Sequence, residues 1–455
     1  MKLFGSSGIR GLVNVDLTPF LAVKVGLAIG TYVKSGKIFV GRDTRLSGVT
    51  LENALVSGLM ACGVDVHCFG ILPTPVLAYL TGRLSADAGL MITASHNPPQ
   101  YNGIKIFDCE GLSYNEKKQS EIEEIIKSES FRLAEWNNLG KVVFDGGSHL
   151  YSGIIQKSVR LQKKWHVVID SGCGATSQMA PAIFRSLKCK VTSINTNPDG
   201  FFTGRAPEPK AESLKSTAKI LQELEADIGV AYDGDGDRVA FIDENGNFVD
   251  FDRVLASYAS HVISKCSGKE KTFVTTVEAS MCVDKAVEAQ GGKVVRTKVG
   301  DVYVAEAVKG LNAVFGGEPC GAWIHPEFHQ CPDGLISSVL LLKALEENGK
   351  SLSEFVSETP SYPIIRKSIP CKNETKYDVV ERTKELVKSH FSGYTQLLNV
   401  DGFRLAFEDG WVLVRASGTE PIVRLTVEGE SLKVAERIME KTLTLLGEVM
   451  EGIEK

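Results

Sequence analysis

Short apolar runs alternate with longer segments of helical periodicity along the first three quarters of the chain. Runs rich in Val, Ile and Phe predict strands, and apolar residues spaced three and four apart predict helices. The predicted strands are residues 37–40, 87–93, 166–170, 227–232, 272–276, 293–297 and 313–316, and the predicted helices include 51–60 and 283–290. This alternation predicts an α/β layer architecture, with three similar modules in series.

The last quarter has a different pattern, which begins after the proline-containing stretch 359–370. A helix at 378–390, a strand at 411–415 and an amphipathic helix from Leu432 onward are predicted there. We therefore place the last domain boundary in the proline-containing stretch.

Composition and charge narrow the class of protein. A chain of 455 residues has room for three or four domains, and a formal charge of -5 does not favour nucleic acid as a partner. No apolar run approaches the roughly 18 residues of a membrane span, and the amino terminus lacks the pattern of a secretory signal, so a cytoplasmic protein without a membrane partner is expected. Ten cysteines without a C-x-x-C pair argue against a zinc site or a disulfide framework.

Three carboxylates stand at alternate positions in the sequence D-G-D-G-D-R, which begins at Asp233. In an extended backbone Asp233, Asp235 and Asp237 project to one side and can hold one hard cation, for which Mg²⁺ is a better fit than Ca²⁺. An acidic surface loop is one alternative. An EF-hand loop that includes Glu244 is another, but Arg238 takes the place of its required glycine, and Asn245-Gly246 predicts a hairpin where a helix should follow.

Ser95 lies in the sequence T-A-S-H-N-P-P, just after a predicted buried strand. Open α/β sheets place ligand sites at such strand ends, so Ser95 is a candidate nucleophile or phosphoryl carrier; a simple Ser/Asn/Pro turn is the alternative. A Ser-His-Asp hydrolase is disfavoured, because G-x-S-x-G is absent and neighbouring Ser and His side chains seldom face each other. Lys105 is a candidate proton shuttle if desolvation and nearby cations lower its pKa.

Two further loops are candidates for ligand binding. R-A-S-G-T-E-P at Arg415, followed by Arg424, combines guanidinium groups, hydroxyls and a glycine turn suited to phosphate, although a plain Ser/Thr turn has the same composition. G-G-E-P-C-G at Gly316 offers the carboxylate of Glu318 to sugar hydroxyls, but any tight turn could have this sequence. The glycine-rich start and the cluster from Gly41 to Arg45 are too common to decide anything alone.

Seven segments in this order resemble the α-D-phosphohexomutase superfamily. They are F-G-S-S-G-I-R-G at Phe4, G-R-D-T-R at Gly41, P-T-P at Pro73, T-A-S-H-N-P-P at Thr93, D-G-D-G-D-R at Asp233, G-G-E-P-C-G at Gly316 and R-A-S-G-T-E-P at Arg415. The resemblance implies three related α/β modules with mixed sheets and a smaller α+β carboxy-terminal domain around a central cleft. The expected domains are 1–147 with the phosphoserine loop, 148–249 with the metal loop, 250–362 with the sugar loop and 363–455 with the phosphate loop.

The same resemblance implies roles for individual residues. Ser95 would be the phosphoserine and a Mg²⁺ ligand together with Asp233, Asp235 and Asp237. Arg10, His96 and Lys105 would stabilise charge and shuttle protons, and Arg238 would support the metal loop. Residues implied to bind the substrate are Gly300, Asp301, Glu318, Cys320, Arg415, Ser417, Gly418, Thr419 and Arg424.

The implied reaction interconverts hexose 6-phosphate and hexose 1-phosphate through a bisphosphorylated sugar, which serves as intermediate and activator. Superfamily members commonly have Ser and His where this chain has Cys320 and Ala322, so the sugar is the least determined feature. The segment T-K-V-G-D at Thr297 resembles the phosphoglucosamine branch, with phosphomannomutase and phosphoglucomutase as alternatives. The resemblance also allows a homodimer.

Two rival classes of protein share part of this pattern. A magnesium phosphomonoesterase would use Ser95 and the acidic loop without needing the Arg415 loop. A sugar-phosphate or calcium-binding protein without catalysis would leave Ser95 unmodified.

Overall fold

The computed structural model describes residues 3–5, 7–267, 271–417 and 420–454. Within these ranges the strands form four sheets, of seven, four, four and five strands. Each sheet is accompanied by helices that lie close to it in the chain, so the predicted α/β architecture with a different carboxy-terminal unit is confirmed.

The first sheet is mixed, with the order β1-β2-β6-β5-β3-β4-β7. Its strands are β1 (Phe4–Gly5), β2 (Gly8–Leu12), β3 (Lys37–Arg42), β4 (Asp65–Ile71), β5 (Ala88–Ile92), β6 (Tyr101–Asp108) and β7 (Val142–Phe144). The accompanying helices are α1 (Pro19–Val33), α2 (Gly48–Ala61), α3 (Thr74–Arg83), α4 (Glu116–Ser128) and α5 (Ser148–Ser158). β5 pairs in parallel with β3 and antiparallel with β6, so the β5–β6 loop, which holds Ser95, leaves the sheet near its centre.

The second sheet has the order β11-β10-β8-β9, and β11 is antiparallel to β10. Its strands are β8 (His166–Asp170), β9 (Lys190–Ile194), β10 (Ile228–Tyr232) and β11 (Val239–Ile242), with helices α6 (Met179–Ser186) and α7 (Lys215–Glu223). The predicted hairpin after β11 is reduced to one bridge between Ile242 and Phe248 around the Asn245-Gly246 turn. The acidic loop therefore connects the two antiparallel strands β10 and β11.

The third sheet repeats this plan with the order β13-β12-β14-β15. Its strands are β12 (Thr272–Thr276), β13 (Lys293–Thr297), β14 (Phe315–Gly317) and β15 (Trp323–Ile324). The helices are α8 (Phe251–Lys265), α9 (Met281–Glu288), α10 (Asp301–Gly310), α11 (Gly334–Asn348) and α12 (Leu352–Ser357).

The fourth sheet is antiparallel throughout, with the order β16-β20-β19-β18-β17. Its strands are β16 (Ile364–Pro370), β17 (Gln396–Leu398), β18 (Phe403–Ala406), β19 (Gly410–Ala416) and β20 (Ile422–Gly429), and its helices are α13 (Lys376–His390) and α14 (Leu432–Glu454). Because β19 and β20 are neighbours, the loop that joins them is held at one end of a rigid strand pair.

One continuous apolar core joins the first three sheets. It includes Phe39 of the first sheet, Phe184 and Phe241 in the second unit, and Trp323 and Leu341 in the third. The fourth unit has a separate core and contacts the third through a small buried cluster of Val277, Met281, Trp411 and Leu413. The shared core fixes the Ser95 loop, the acidic loop and the Glu318 loop relative to one another.

In the part of the chain that the structure describes, every helix is too short or too polar to cross a membrane.

Candidate active site

The Ser95 loop has a backbone that turns the hydroxyl inward. Ser95 is fully buried and adopts a left-handed conformation with φ of 51°. Its amide donates to Thr93 Oγ1 (2.9 Å), and the Thr93 hydroxyl donates in turn to Asp43 Oδ2 (2.7 Å). A left-handed non-glycine residue is strained, and these hydrogen bonds stabilise it.

Arg45 holds the same loop through hydrogen bonds to its backbone, a role that the sequence did not reveal. Its side chain is 1% exposed, and its Nε donates to Asp43 Oδ2 (2.9 Å). Its two terminal nitrogens donate to the backbone carbonyls of Ser95, Asn97, Pro98 and Tyr101 at 2.6–2.9 Å. The cluster from Gly41 to Arg45, which was too common to interpret in the sequence, is therefore a scaffold for the Ser95 loop.

The three aspartates of the acidic loop converge, but not by the extended backbone that the sequence suggested. Ligand oxygens of Asp233, Asp235 and Asp237 all lie within 4.8 Å of one another, and all three side chains are buried. The backbone bends through the loop, with Gly236 at φ of 77°. A side chain at Gly234 would place its Cβ 2.5 Å from the Ser95 carbonyl oxygen, so glycine is needed where the two loops meet.

Direct hydrogen bonds join the acidic loop to the first sheet. Ser95 Oγ donates to Asp233 Oδ2 (2.6 Å), and Thr74 Oγ1 donates to Asp235 Oδ2 (2.5 Å). Lys105 Nζ lies 3.1 Å from Asp235 Oδ2 and 2.5 Å from Asp237 Oδ2. The predicted meeting of Ser95 with the acidic triplet is thus present in the folded chain.

The acidic loop retains oxygens suited to a cation. Asp235 Oδ1 and Asp237 Oδ1 are buried, and neither has a hydrogen-bond partner within the described part of the chain. Burial, together with repulsion from Asp237 and Asp235, raises the pKa of Asp233 well above its usual range. Buried carboxylates with free oxygens and mutual repulsion fit an oxygen-binding divalent cation.

The EF-hand alternative does not agree with the structure. Glu244 accepts hydrogen bonds from Ser351 Oγ (2.6 Å) and from the Ser353 amide (3.2 Å), at the start of α12. Among the described residues, the only acidic group with metal-binding spacing is the Asp233, Asp235 and Asp237 triplet. Glu244 therefore caps a helix and is not a fourth ligand.

Positive side chains surround the triplet, and their pKa values depend on it. Burial alone would lower the pKa of Lys105, but Asp235 and Asp237 outweigh burial and raise it above its usual range. The condition attached to Lys105 as a proton shuttle, a lowered pKa, is therefore not met, because the two carboxylates outweigh burial and the neighbouring Arg10. Burial lowers the pKa of Arg10. Burial has the same effect on Arg238, but Cys320, Asp237 and Asp233 together outweigh it and raise the pKa of Arg238.

His96 contacts the serine hydroxyl, contrary to the expectation for sequence neighbours. Its Nδ1 lies 3.3 Å from Ser95 Oγ, because the left-handed backbone of Ser95 turns the two side chains toward each other. Burial and the nearby Arg238 and Arg10 lower the pKa of His96 to about 2. The imidazole is therefore neutral at physiological pH.

The Glu318 loop lies against the start of α10. Glu318 is buried, and its Oε2 accepts from the Gly300 amide (3.1 Å). Burial and the neighbouring Asp301 raise the pKa of Glu318 to about 7, and Asp301 Oδ1 accepts from Ser7 Oγ (2.8 Å). Burial also raises the pKa of the Cys320 thiol to about 12, which makes the thiol unreactive at neutral pH. Gly300, Asp301, Glu318 and Cys320 thus form one wall near Arg238.

The Arg415 loop forms a second locus on the fourth sheet. Arg415 on β19 and Arg424 on β20 are directly opposite in the antiparallel register. Ser417 Oγ accepts from the Glu420 amide (3.2 Å), which holds the turn, while Gly418 and Thr419 lie outside the described residues. Like charges on facing residues repel, so this pair of arginines favours an anion between them.

The candidate residues therefore divide into two groups. Ser95, His96, Lys105, Arg10, Arg238 and the three aspartates, with Glu318 beside them, form one connected cluster. The ion pairs of Arg415 and Arg424 in the described ranges are made with Glu278, Asp401 and Glu420, which are separate from that cluster. Thr74 and Arg45 are functional candidates that sequence reasoning missed; only their positions in resembling segments could have indicated them.

These features define an α/β protein that places a serine hydroxyl against a buried triplet of aspartates and carries a pair of facing arginines on a separate sheet. Comparison with known families gives the same class. The "Phosphoglucomutase/phosphomannomutase, alpha/beta/alpha" domains I, II and III match residues 1–133, 148–246 and 250–362, and the family's C-terminal domain matches 369–445.

Relatives resemble the chain over its whole length. A probable phosphoglucosamine mutase of Pyrococcus horikoshii is 44% identical over 99% of both chains. Another, of Methanothermobacter thermautotrophicus, is 43% identical over 99% of this chain and 98% of the relative. A phosphoglucomutase/phosphomannomutase family protein of Burkholderia thailandensis has a solved structure with a TM-score of 0.90 and 27% identity, covering 99% of this chain and 98% of that one.

The chain belongs to the phosphoglucomutase/phosphomannomutase family. It is accordingly a phosphohexomutase, an isomerase that relocates a phosphoryl group on a hexose phosphate.

Proposed function

We propose that this phosphohexomutase interconverts glucosamine 6-phosphate and glucosamine 1-phosphate through a phosphoserine at Ser95. The sugar is supported by the names of the relatives, which are probable phosphoglucosamine mutases at 42–45% identity. The segment from Thr297 to Asp301, which resembles the same branch, leads into the wall that holds Glu318.

The contact between Ser95 Oγ and Asp233 Oδ2 is the observation that carries the proposal. It places a hydroxyl that could carry a phosphoryl group at the edge of an acidic site with free carboxylate oxygens. Asp233, Asp235, Asp237 and Ser95 would hold Mg²⁺, which when bound supplies positive charge to the oxygens of the transferring phosphoryl group.

The remaining residues of the cluster provide charge and proton transfer. When phosphoserine gives its phosphoryl group to a sugar hydroxyl, the Oγ–P bond breaks, a P–O bond to the sugar forms, and Oγ gains the proton that the sugar hydroxyl loses. Lys105 stays protonated beside Asp235 and Asp237, and its raised pKa suits it to stabilise negative charge on the transferring phosphoryl group. The Nδ1 atom of neutral His96 lies 3.3 Å from Oγ. Because its pKa is lowered to about 2, His96 can relay a proton through its two ring nitrogens but does not hold one.

The second locus would bind the phosphate that is not reacting. Arg415, Ser417 and Arg424, with Gly418 and Thr419, would hold that phosphate while Gly300, Asp301, Glu318 and Cys320 contact the sugar. The bisphosphorylated sugar formed by the first transfer then reverses its orientation, and its other phosphate returns to Ser95. This sequence accounts for a bisphosphate as both intermediate and activator.

Two measurements test the proposal. Side-by-side assays with glucosamine, N-acetylglucosamine, glucose and mannose phosphates should give the highest kcat/KM for glucosamine phosphate. Incubation with a hexose bisphosphate should add one phosphoryl mass to the wild type and none to Ser95→Ala, which should be folded but inactive. Near-normal isomerisation by Ser95→Ala, or steady phosphate release without isomerisation by the wild type, would contradict the mechanism.

A further inference from the structure

The proposed phosphate-binding arginine is already engaged by carboxylates. Arg415 Nη1 lies 2.5 Å from Glu278 Oε1 and 3.4 Å from Asp401 Oδ2. The Arg415 side chain is only 20% exposed, and its Nε is buried and has no hydrogen-bond partner among the residues that the structure describes. One side of the guanidinium is thus occupied, and the nitrogen on its other side is left without an acceptor.

Glu278 contacts Arg415 from a different domain, next to the buried interface between the third and fourth units. It follows β12 of the third sheet, whereas Arg415 lies on β19 of the fourth. Three residues farther on, the Met281 amide donates to Glu428 Oε2 (2.7 Å), which also accepts from Trp411 Nε1 (2.6 Å). Because this interface is buried, Glu278 is held beside Arg415 and does not meet it by chance.

A carboxylate and a phosphate compete for the same guanidinium. A carboxylate is planar and a phosphate is tetrahedral, but the anionic oxygens of either group accept paired N–H donors from arginine. Arg415 also faces Arg424 across the ladder, and Arg424 Nη2 pairs with Glu420 Oε2 (2.5 Å). Both arginines therefore have a carboxylate partner that an incoming phosphate would have to replace.

We propose that Glu278 is an internal competitor for the phosphate of the substrate: it pairs with Arg415 in the free enzyme and is displaced when phosphate binds. This inference rests on the proposed function in taking Arg415 as a phosphate-binding residue. A competitor has a use in this reaction, because the bisphosphate must leave the Arg415 loop and rebind in the opposite orientation. When the phosphate leaves, the carboxylate of Glu278 pairs with Arg415 again. The phosphate on Arg415 is then replaced by a carboxylate and not by water alone.

The direct test is a calorimetric titration with inorganic phosphate at constant ionic strength. Glu278→Gln should lower the Kd by about fivefold, since a partly exposed ion pair contributes about 1 kcal/mol. Glu430→Gln is the matched control, because Lys285 and Glu430 form an ion pair (2.6 Å) across the same two domains away from Arg415. The control should leave the Kd unchanged, and adding Arg415→Ala to Glu278→Gln should abolish the gain.

An unchanged or higher Kd in Glu278→Gln would overturn the inference and would show that Glu278 only positions Arg415. Steady-state kinetics with glucosamine 6-phosphate provide a second readout, in which Glu278→Gln should lower KM without raising kcat. The two proposals fail separately. If the wild type isomerises hexose phosphates but Glu278→Gln leaves the phosphate affinity unchanged, the inference about Glu278 is wrong. If Glu278→Gln raises the phosphate affinity but the wild type does not isomerise hexose phosphates, the proposed mechanism is wrong and the inference about Glu278 is retained.

Discussion

Thr74 is bound twice to Asp235, a residue 161 positions away in the sequence. The Thr74 hydroxyl donates to Asp235 Oδ2 (2.5 Å), and the Thr74 amide, at the first position of α3, donates to the Asp235 carbonyl (2.9 Å). Lys105 donates to the same carboxylate oxygen, and Asp235 Oδ1 has no partner in the described ranges of the chain. The first sheet's unit thus fixes the orientation of a carboxylate that belongs to the second.

The Thr74 hydroxyl should matter for metal binding more than for folding. Thr74→Val keeps the shape and the amide hydrogen bond but removes the donor, so the Asp235 carboxylate can rotate. We expect kcat/KM to fall about tenfold, equivalent to about 1.4 kcal/mol, and half-saturation by Mg²⁺ to require a higher concentration. Thr74→Ser retains the hydroxyl and should restore both values to near wild type. Equal losses in the two variants would show that packing, not the hydrogen bond, is responsible.

Arg424 should act on substrate affinity. It lies on the fourth sheet, apart from the Ser95 cluster, so its contact with the distant phosphate would be similar in the ground and transition states. Arg424→Ala should raise KM about tenfold with little change in kcat. Arg437→Ala is the matched control, because Arg437 is an equally exposed arginine of the same domain that pairs with Asp409 (2.6 Å). A loss confined to kcat in Arg424→Ala would place Arg424 in the chemical step.

The bounds of several strands could be predicted from short patterns in the sequence. The strands His166–Asp170, Thr272–Thr276 and Lys293–Thr297 have the predicted bounds, because each is a short run rich in β-branched residues. β14 was displaced from 313–316 to Phe315–Gly317, since pairing of its glycines with β15 extends the strand where propensity would end it.

The contacts within the candidate active site could not be predicted from short sequence patterns. The Ser95–Asp233 contact spans 138 residues, and only the resemblance to a family related the two loops. The His96 contact depends on the left-handed φ of Ser95, and the raised Lys105 pKa depends on which charges lie nearest. Periodicity and propensity describe neither quantity. The φ of Ser95 depends on hydrogen bonds with the Thr93 and Asp43 side chains, and the Lys105 pKa depends on carboxylates of a separate domain.

Metal binding should stabilise the native chain through the acidic triplet. Because a cation that binds only the folded state raises stability by mass action, adding Mg²⁺ should raise the Tm of the wild type. Asp237→Asn removes one of the buried carboxylates and should largely abolish the rise. Asp243→Asn is a suitable control, since Asp243 is also a buried aspartate but accepts hydrogen bonds from the Asn245 and Asn247 amides in the next turn. It should lower the Tm and keep the Mg²⁺-dependent rise; the reverse pattern would place the metal elsewhere.

Asp252, in the first turn of α8, should make stability depend on pH. Burial, with repulsion from Asp250 and Glu428, outweighs a hydrogen bond from the Ser280 amide and raises the pKa of Asp252 to about 7 from 3.8. A raised carboxyl pKa means that the folded state holds the proton more tightly than the unfolded state. Its contribution to stability is therefore complete below about pH 4 and is lost as the pH rises to about 7.

Asp252→Asn removes this titration while its amide oxygen can still accept from Ser280, which donates to Asp252 Oδ1 (2.8 Å). The variant should gain stability relative to the wild type as the pH is raised from about 5 to about 8, measured by urea unfolding at each pH. Asp284→Asn should behave differently and lower the stability, because it removes the ion pair of Asp284 with Arg296 (2.6 Å). If the difference between Asp252→Asn and wild type stays constant over this range, Asp252 is ionised with an ordinary pKa, and the interface between the third and fourth domains tolerates its charge.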